Sequence, residues 1–234
     1  MSTIEFRNLA KQYKDVAAVA NLTAKIEPGR ITGFIGPNGA GKSTALRCLL
    51  GLAEPTSGEA LIEGKRYSQL VNPLRKVGAV LDSSGFNGGL TATQNLKVIC
   101  AASGLNPNKI AELLKLVELD HAANKRTRGF SLGMRQRLSL AAALLGEPDI
   151  LVLDEPANGL DPIGIAWLRD FLRNLATQGK TILVSSHQLA EMQHTIDDVL
   201  IINRGTLIAQ GNAKEIMGEQ SLEEAFMRLI GVTK

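Results

Sequence analysis

Residues 31–44 read Ile-Thr-Gly-Phe-Ile-Gly-Pro-Asn-Gly-Ala-Gly-Lys-Ser-Thr, an apolar run that passes into a glycine-rich segment and then into a helix-forming one. The run Ile31–Ile35 has the length and branching of a buried strand. From Lys42 onward, Leu46, Leu49 and Leu50 recur at helical spacing until Gly51 stops the pattern. Between the two lies G-x-x-x-x-G-K-[ST], in the strand-loop-helix context that its chemistry requires. Gly36, Gly39 and Gly41 let the backbone wind tightly, so that successive N–H groups point inward at phosphate oxygens, and the helix N-terminus adds its positive dipole end. The whole stretch Gly36, Pro37, Asn38, Gly39, Ala40, Gly41, Lys42, Ser43 and Thr44 is therefore expected to line a phosphate site. Lys42 is placed to reach the β and γ phosphates. Ser43 offers a hydroxyl to Mg2+, which takes oxygen ligands in a tight octahedron completed by waters and phosphate oxygens.

Outward from this loop, the chain of 234 residues is long enough for a sizeable core, and 44% hydrophobic with 21% charged residues excludes disorder. A formal net charge of +3 is too small to mark a nucleic-acid or membrane partner by itself. Cys48 and Cys100 fall in apolar helical stretches without ligand spacing and are expected as reduced core residues. The start, MSTIEFRNLAKQY, lacks the basic and apolar pattern of a secretory signal. No run approaches the roughly 20 apolar residues that span a bilayer.

Residues 3 to 35 read as short β segments, and another β pair is expected around ALIEGK, followed by a strand at 77–81. From Thr91 to about Leu145 the pattern turns helical, with Asn106 and Pro107 opening one helix and SLGMRQRLSLAAALL forming another. Alternation then returns: strand ILVLD, helix PIGIAWLRDFLRNLA, strand KTILVSS, helix HQLAEMQHTI, a hairpin turning at Arg204-Gly205, and the amphipathic tail SLEEAFMRLIG. Strands alternating with helices argue for a parallel α/β sheet.

ILVLDE places Asp154 and Glu155 at the C-terminal end of a strand, the end that parallel sheets present to ligands. By itself the pair reads as a strand closed by an N-cap aspartate. Next to a phosphate loop, Asp154 suits Mg2+ through its water shell, and Glu155 suits the polarisation of an attacking water.

These motifs, with FSLGMRQR at 130–137, EPANGLDP at 155–162 and SSHQLAEM at 185–192, occur in the order of the ATP-binding subunits of ABC transporters. The resemblance covers nearly the whole chain, and the signature is similar to that of ABC-2 type exporters. It implies an α/β fold: a P-loop NTPase with a RecA-like parallel sheet core, an antiparallel β subdomain and an inserted α-helical subdomain. One ABC ATPase domain would span 1–234, with 1–82 and 146–234 as core and β subdomain, and 83–145 as the helical subdomain carrying the signature.

The resemblance further implies ATP as substrate with Mg2+, and Lys42, Glu155 and His187 as the catalytic set. Ser131 and Gly133, at a helix start, would form a second phosphate site that meets the ATP bound to another subunit, with Asp161 at the seam. Each also reads as an ordinary helix cap. Tyr13 resembles the aromatic that stacks on adenine, although a strand-end tyrosine packed on the core fits the residues nearly as well. Asp82 stands where the family has Gln or Glu and is expected to keep contact with Mg2+. The implied partners are a separate transmembrane permease and a second ATPase subunit, identical or different, at the cytoplasmic face of the cell membrane. An assembly or regulatory ATPase without transport is the alternative. The basic cluster Lys125, Arg126, Arg128, Arg135 and Arg137 lacks interleaved aromatics, and no nucleic-acid partner is expected. His121 and His194 read as structural.

Overall fold

The computed structural model describes residues 3–81 and 85–231. In chain order these hold β1 (Ile4–Tyr13), β2 (Val16–Ile26), β3 (Ile31–Ile35), α1 (Lys42–Leu49), β4 (Ser57–Ile62), β5 (Val77–Val80), α2 (Ala92–Ser103), α3 (Ile110–Leu116), α4 (Leu132–Leu144), β6 (Ile150–Asp154), α5 (Pro162–Thr177), β7 (Thr181–Ser186), α6 (Leu189–Met192), β8 (Asp198–Asn203), β9 (Thr206–Asn212), α7 (Ala213–Met217) and α8 (Leu222–Leu229). Among the described residues, β2-β1-β4 form an antiparallel sheet. A second sheet has the order β5-β6-β7-β3-β8-β9, parallel except for the edge hairpin β8–β9.

Side chains alternate across the parallel sheet, as the period of two requires. Ile31, Ile35, Leu151 and Leu153 enter one core with α2–α5 and the C-terminal helices. Phe34, Ile150 and Val152 enter a second core beneath α1 and the antiparallel sheet. The central strands are covered on both faces, which is why ITGFI is buried at every position and ILVL is apolar without interruption. Helix α5 follows the 3.6-residue period, burying Leu168, Phe171, Leu172 and Leu175. A buried leucine such as Leu153, truncated to Ala, costs on the order of 2–5 kcal/mol.

Caps lie where the sequence signals them. Thr91 and Gln94 close a capping box on α2, and Gly104 ends that helix at φ 64°. Asn106, Ser131 and Asp161 each accept a backbone N–H at the start of a helical turn.

The antiparallel strands differ from the short segments expected, running ten and eleven residues. Register shifts near Asn8 and Asn21, both at positive φ, interrupt the alternation within continuous strands. The segment ALIEGK contributes one strand, β4, which pairs with β1, and the pair expected within the segment is reduced to an isolated antiparallel bridge between Ile62 and Lys65. The expected helix over HQLAEMQHTI is confined to Leu189–Met192, because the chain must drop through Ile196 and Asp197 into β8. Helix α7 is an addition, capped by Asn212. Cys48 and Cys100 are buried free thiols.

Candidate functional site

The loop from Gly36 to Thr44 leaves the end of β3 and enters α1. A Cβ at Gly36 would stand 2.2 Å from the Ile202 carbonyl oxygen, and one at Gly41 would stand 2.3 Å from that of Ala18. Gly41 also has φ 106°. Neighbouring strands thus approach the loop as closely as backbone allows, and only glycine fits. The first turn of α1 carries no acidic residue, so its positive end is not neutralised locally.

Lys42 folds back over the loop. Its Nζ donates to the Gly36 carbonyl at 2.7 Å and to that of Pro37 at 3.3 Å, and lies 3.2 Å from Oε1 of Glu155. The surrounding cleft is lined by Val16, Ala17 and Ala18 of β2, by Asn38 to Thr44, and by Glu155 and Arg204. Tyr13 is not among the lining residues. It pairs with Val16 across the strand end, is exposed, and has the Lys11 ammonium 4.8 Å from its ring centroid.

Asp154 ends β6 in register with Ser185 of β7. The Ser185 hydroxyl donates to Asp154 Oδ1 at 2.5 Å and accepts from the Glu155 N–H at 2.9 Å. Glu155 has φ 49°, a left-handed conformation that costs a side-chain residue about 1–3 kcal/mol. The sharp turn aims its carboxylate back at the loop, where Oε1 meets Lys42 while Oε2 lies 2.8 Å from His187 Nδ1 and accepts the His187 backbone N–H at 3.3 Å. One carboxylate therefore joins the phosphate-loop lysine to the histidine after β7. Ser185 escaped the sequence reading, though its place at the end of a strand parallel to β6 was the available signal.

Ser43, on the cleft wall, and Asp154, at the end of β6, each offer hard oxygen donors. Among the described residues, no cluster of three or more His, Cys, Asp or Glu is arranged to hold an ion. Two hard oxygen donors suit Mg2+, which keeps waters and phosphate oxygens as most of its ligands. Asp82 lies outside the described residues.

Ser131 and Gly133 form a separate place. The Ser131 hydroxyl accepts the Met134 N–H at 3.2 Å, and Asp161 Oδ1 accepts that of Gly164 at 2.7 Å. These N-caps face one groove, which Gly159, Leu160 and Trp167 also line and which no phosphate-loop residue reaches. Leu132 and Ile163 are exposed beside it. Of the basic cluster, Lys125, Arg126 and Arg128 are exposed at the turn before α4. Arg137 turns away from them, placing its guanidinium 3.9 Å above the Trp167 ring centroid and pairing with Glu118.

No helix among the described residues is long and apolar enough to cross a membrane. The family model described as ABC transporter matches residues 19–158. The lantibiotic transport ATP-binding protein SrtF of Streptococcus pyogenes is 39% identical over 223 residues, 95% of either chain. The bacitracin transport ATP-binding protein BcrA of Bacillus licheniformis is 43% identical over 214 residues, covering 90% of this chain and 70% of that one. A solved dimeric ATP-binding cassette, in a post-hydrolysis state with ADP and Pi, is 26% identical with a TM-score of 0.79, over 90% of this chain and 98% of that one. With that match and this site, the chain belongs to the ABC transporter family, as an ATP-binding and ATP-hydrolysing subunit.

Proposed function

We propose that the cleft between the phosphate loop and β2 takes Mg-ATP, and that two such subunits close head to tail, each presenting its Ser131 and Gly133 to the other's γ phosphate. The observation that carries this reading is the Glu155 carboxylate, shared between Lys42 and His187. With ATP bound, Lys42 transfers its N–H donors from Glu155 to the β and γ phosphates. Glu155, released from that pair, accepts a hydrogen bond from the attacking water, and His187 orients this water and the γ phosphate. Ser43 and Asp154 would hold Mg2+, which would supply charge neutralisation at the phosphates when bound. Tyr13 supports the adenine by stacking. Asp161 sits at the seam between subunits.

The helical subdomain, 83–145, carries Ser131 relative to the core, 1–82 and 146–234, so closure moves one against the other. A separate transmembrane permease at the cytoplasmic face would receive that movement. The two relatives, named for lantibiotic and bacitracin transport, support export of peptide antibiotics as the cargo class. The test is steady-state phosphate release with Mg-ATP. Glu155→Gln should lose about a hundredfold or more of the turnover while still binding ATP. Turnover equal to wild type would overturn the assignment.

A further inference from the structure

Arg204 and Gly205 make the two-residue turn between β8 and β9, both at positive φ, 48° and 78°. Such turns favour Asn or Gly at the first position, so an arginine there works against the backbone preference. The turn is also pinned in place. The Gly205 N–H donates to the Ala40 carbonyl of the phosphate loop at 2.9 Å, and the Gly205 carbonyl accepts the Ala20 N–H of β2 at 2.7 Å. The Arg204 backbone is thereby held on the β2 side of the nucleotide cleft, of which Arg204 is a lining residue.

The charges of the cleft are unequal. Its ionisable lining residues are Lys42, Glu155 and Arg204. Lys42 and Glu155 face each other. Arg204 is exposed and engages no acidic side chain among the described residues, so it supplies the cleft's uncompensated positive charge. A polyanionic phosphate chain entering this cleft meets a guanidinium with five donors in a planar fork. Lys42 and Glu155 mark the γ end of that chain. Arg204 lines the cleft with Val16 to Ala18 of β2, and Val16 pairs with Tyr13, so adenine stacked on Tyr13 would put the ribose end of the chain on this side.

We propose that Arg204 is a further nucleotide-binding residue, its guanidinium hydrogen-bonding the phosphate chain at the end joined to the ribose. This deepens the nucleotide site proposed above and rests on that reading. The test is calorimetric titration of the full chain with ADP, and with GDP for comparison. Arg204→Gly removes the side chain and relieves the positive-φ strain, so the nucleotide-free protein should melt no lower than wild type. ADP binding should nevertheless weaken by about ten- to a hundredfold, as for one charge-assisted hydrogen bond. Arg204→Lys should recover part of the loss, and GDP should weaken in parallel with ADP. ADP binding within twofold of wild type would overturn the proposal. A loss confined to one base would replace the phosphate contact with base stacking. Failure of the wild-type chain to bind ADP would instead remove the nucleotide site itself, an outcome that needs no variant to recognise.

Discussion

Lys42 and Glu155 face each other across the phosphate loop, Nζ to Oε1 at 3.2 Å, with side chains only 5% and 16% exposed. A pair so shielded interacts more strongly than a surface ion pair. An incoming phosphate must take Lys42 from Glu155 and is repelled by the same carboxylate. Glu155→Gln is therefore expected to tighten ADP binding, roughly three- to tenfold, by calorimetry. ADP undergoes no turnover, so the gain cannot come from blocked hydrolysis. Unchanged or weaker binding would mean that Glu155 does not restrain the lysine.

Ser185 is fully buried and ties Asp154 to the Glu155 backbone through one hydroxyl. Ser185→Ala leaves both acids present but loosens their placement, and misplacement of reacting groups is costly in rate. Phosphate release should fall about tenfold or more, with nucleotide affinity little changed. A variant that hydrolyses ATP like wild type would reduce Ser185 to a packing residue.

Gly39 and Gly41 separate two kinds of glycine requirement. Gly39 has φ 80° with open space where a Cβ would stand, whereas Gly41 has φ 106° and a carbonyl 2.3 Å from that point. Gly39→Ala should lose about 1 kcal/mol in urea unfolding, from backbone strain alone. Gly41→Ala should lose about 3 kcal/mol or more and should also abolish nucleotide binding, because the loop must move from Ala18. Equal losses would show that contact with β2 is unimportant.

The parallel core and the phosphate loop were legible because their causes are local. ITGFI and ILVL are short, predominantly apolar runs, as strands covered on both faces must be, and the glycines of the loop sit at fixed offsets from Lys42. Asp161 and Ser131 were legible as caps by the same local logic. The long strands β1 and β2 were not, since irregular register near Asn8 and Asn21 breaks the alternation that marks a strand. Ser185 and Arg204 were hidden for another reason. Each is placed by partners far away in sequence, Ser185 by Asp154 on the neighbouring strand and Arg204 through the bond of Gly205 to the Ala40 carbonyl of the phosphate loop, and no local spacing encodes that proximity. The direction of the Glu155 carboxylate likewise depends on a left-handed backbone that residue types alone do not announce.

Trp167, the chain's one tryptophan, lies under the Arg137 guanidinium and stacks on Phe171 at 5.0 Å. The contact fastens the signature helix α4 to α5, the helix that Asp161 caps. Arg137→Ala should uncover the ring, raising acrylamide quenching of its emission, and should cost about 1–2 kcal/mol of stability. An unchanged quenching constant would show that the guanidinium does not shield the ring.

The two halves of the proposed ATP site, the cleft of Lys42 and the groove of Ser131, do not share lining residues within one chain. On the reading proposed above, a second subunit brings them together. Sedimentation of the Glu155→Gln chain with and without Mg-ATP tests this most directly. Bound ATP should raise the mass from 25.0 kDa to about twice that value, and Ser131→Arg should prevent the change. A chain that binds ATP yet sediments as a single copy, with the Ser131 groove left open, would contradict the shared site.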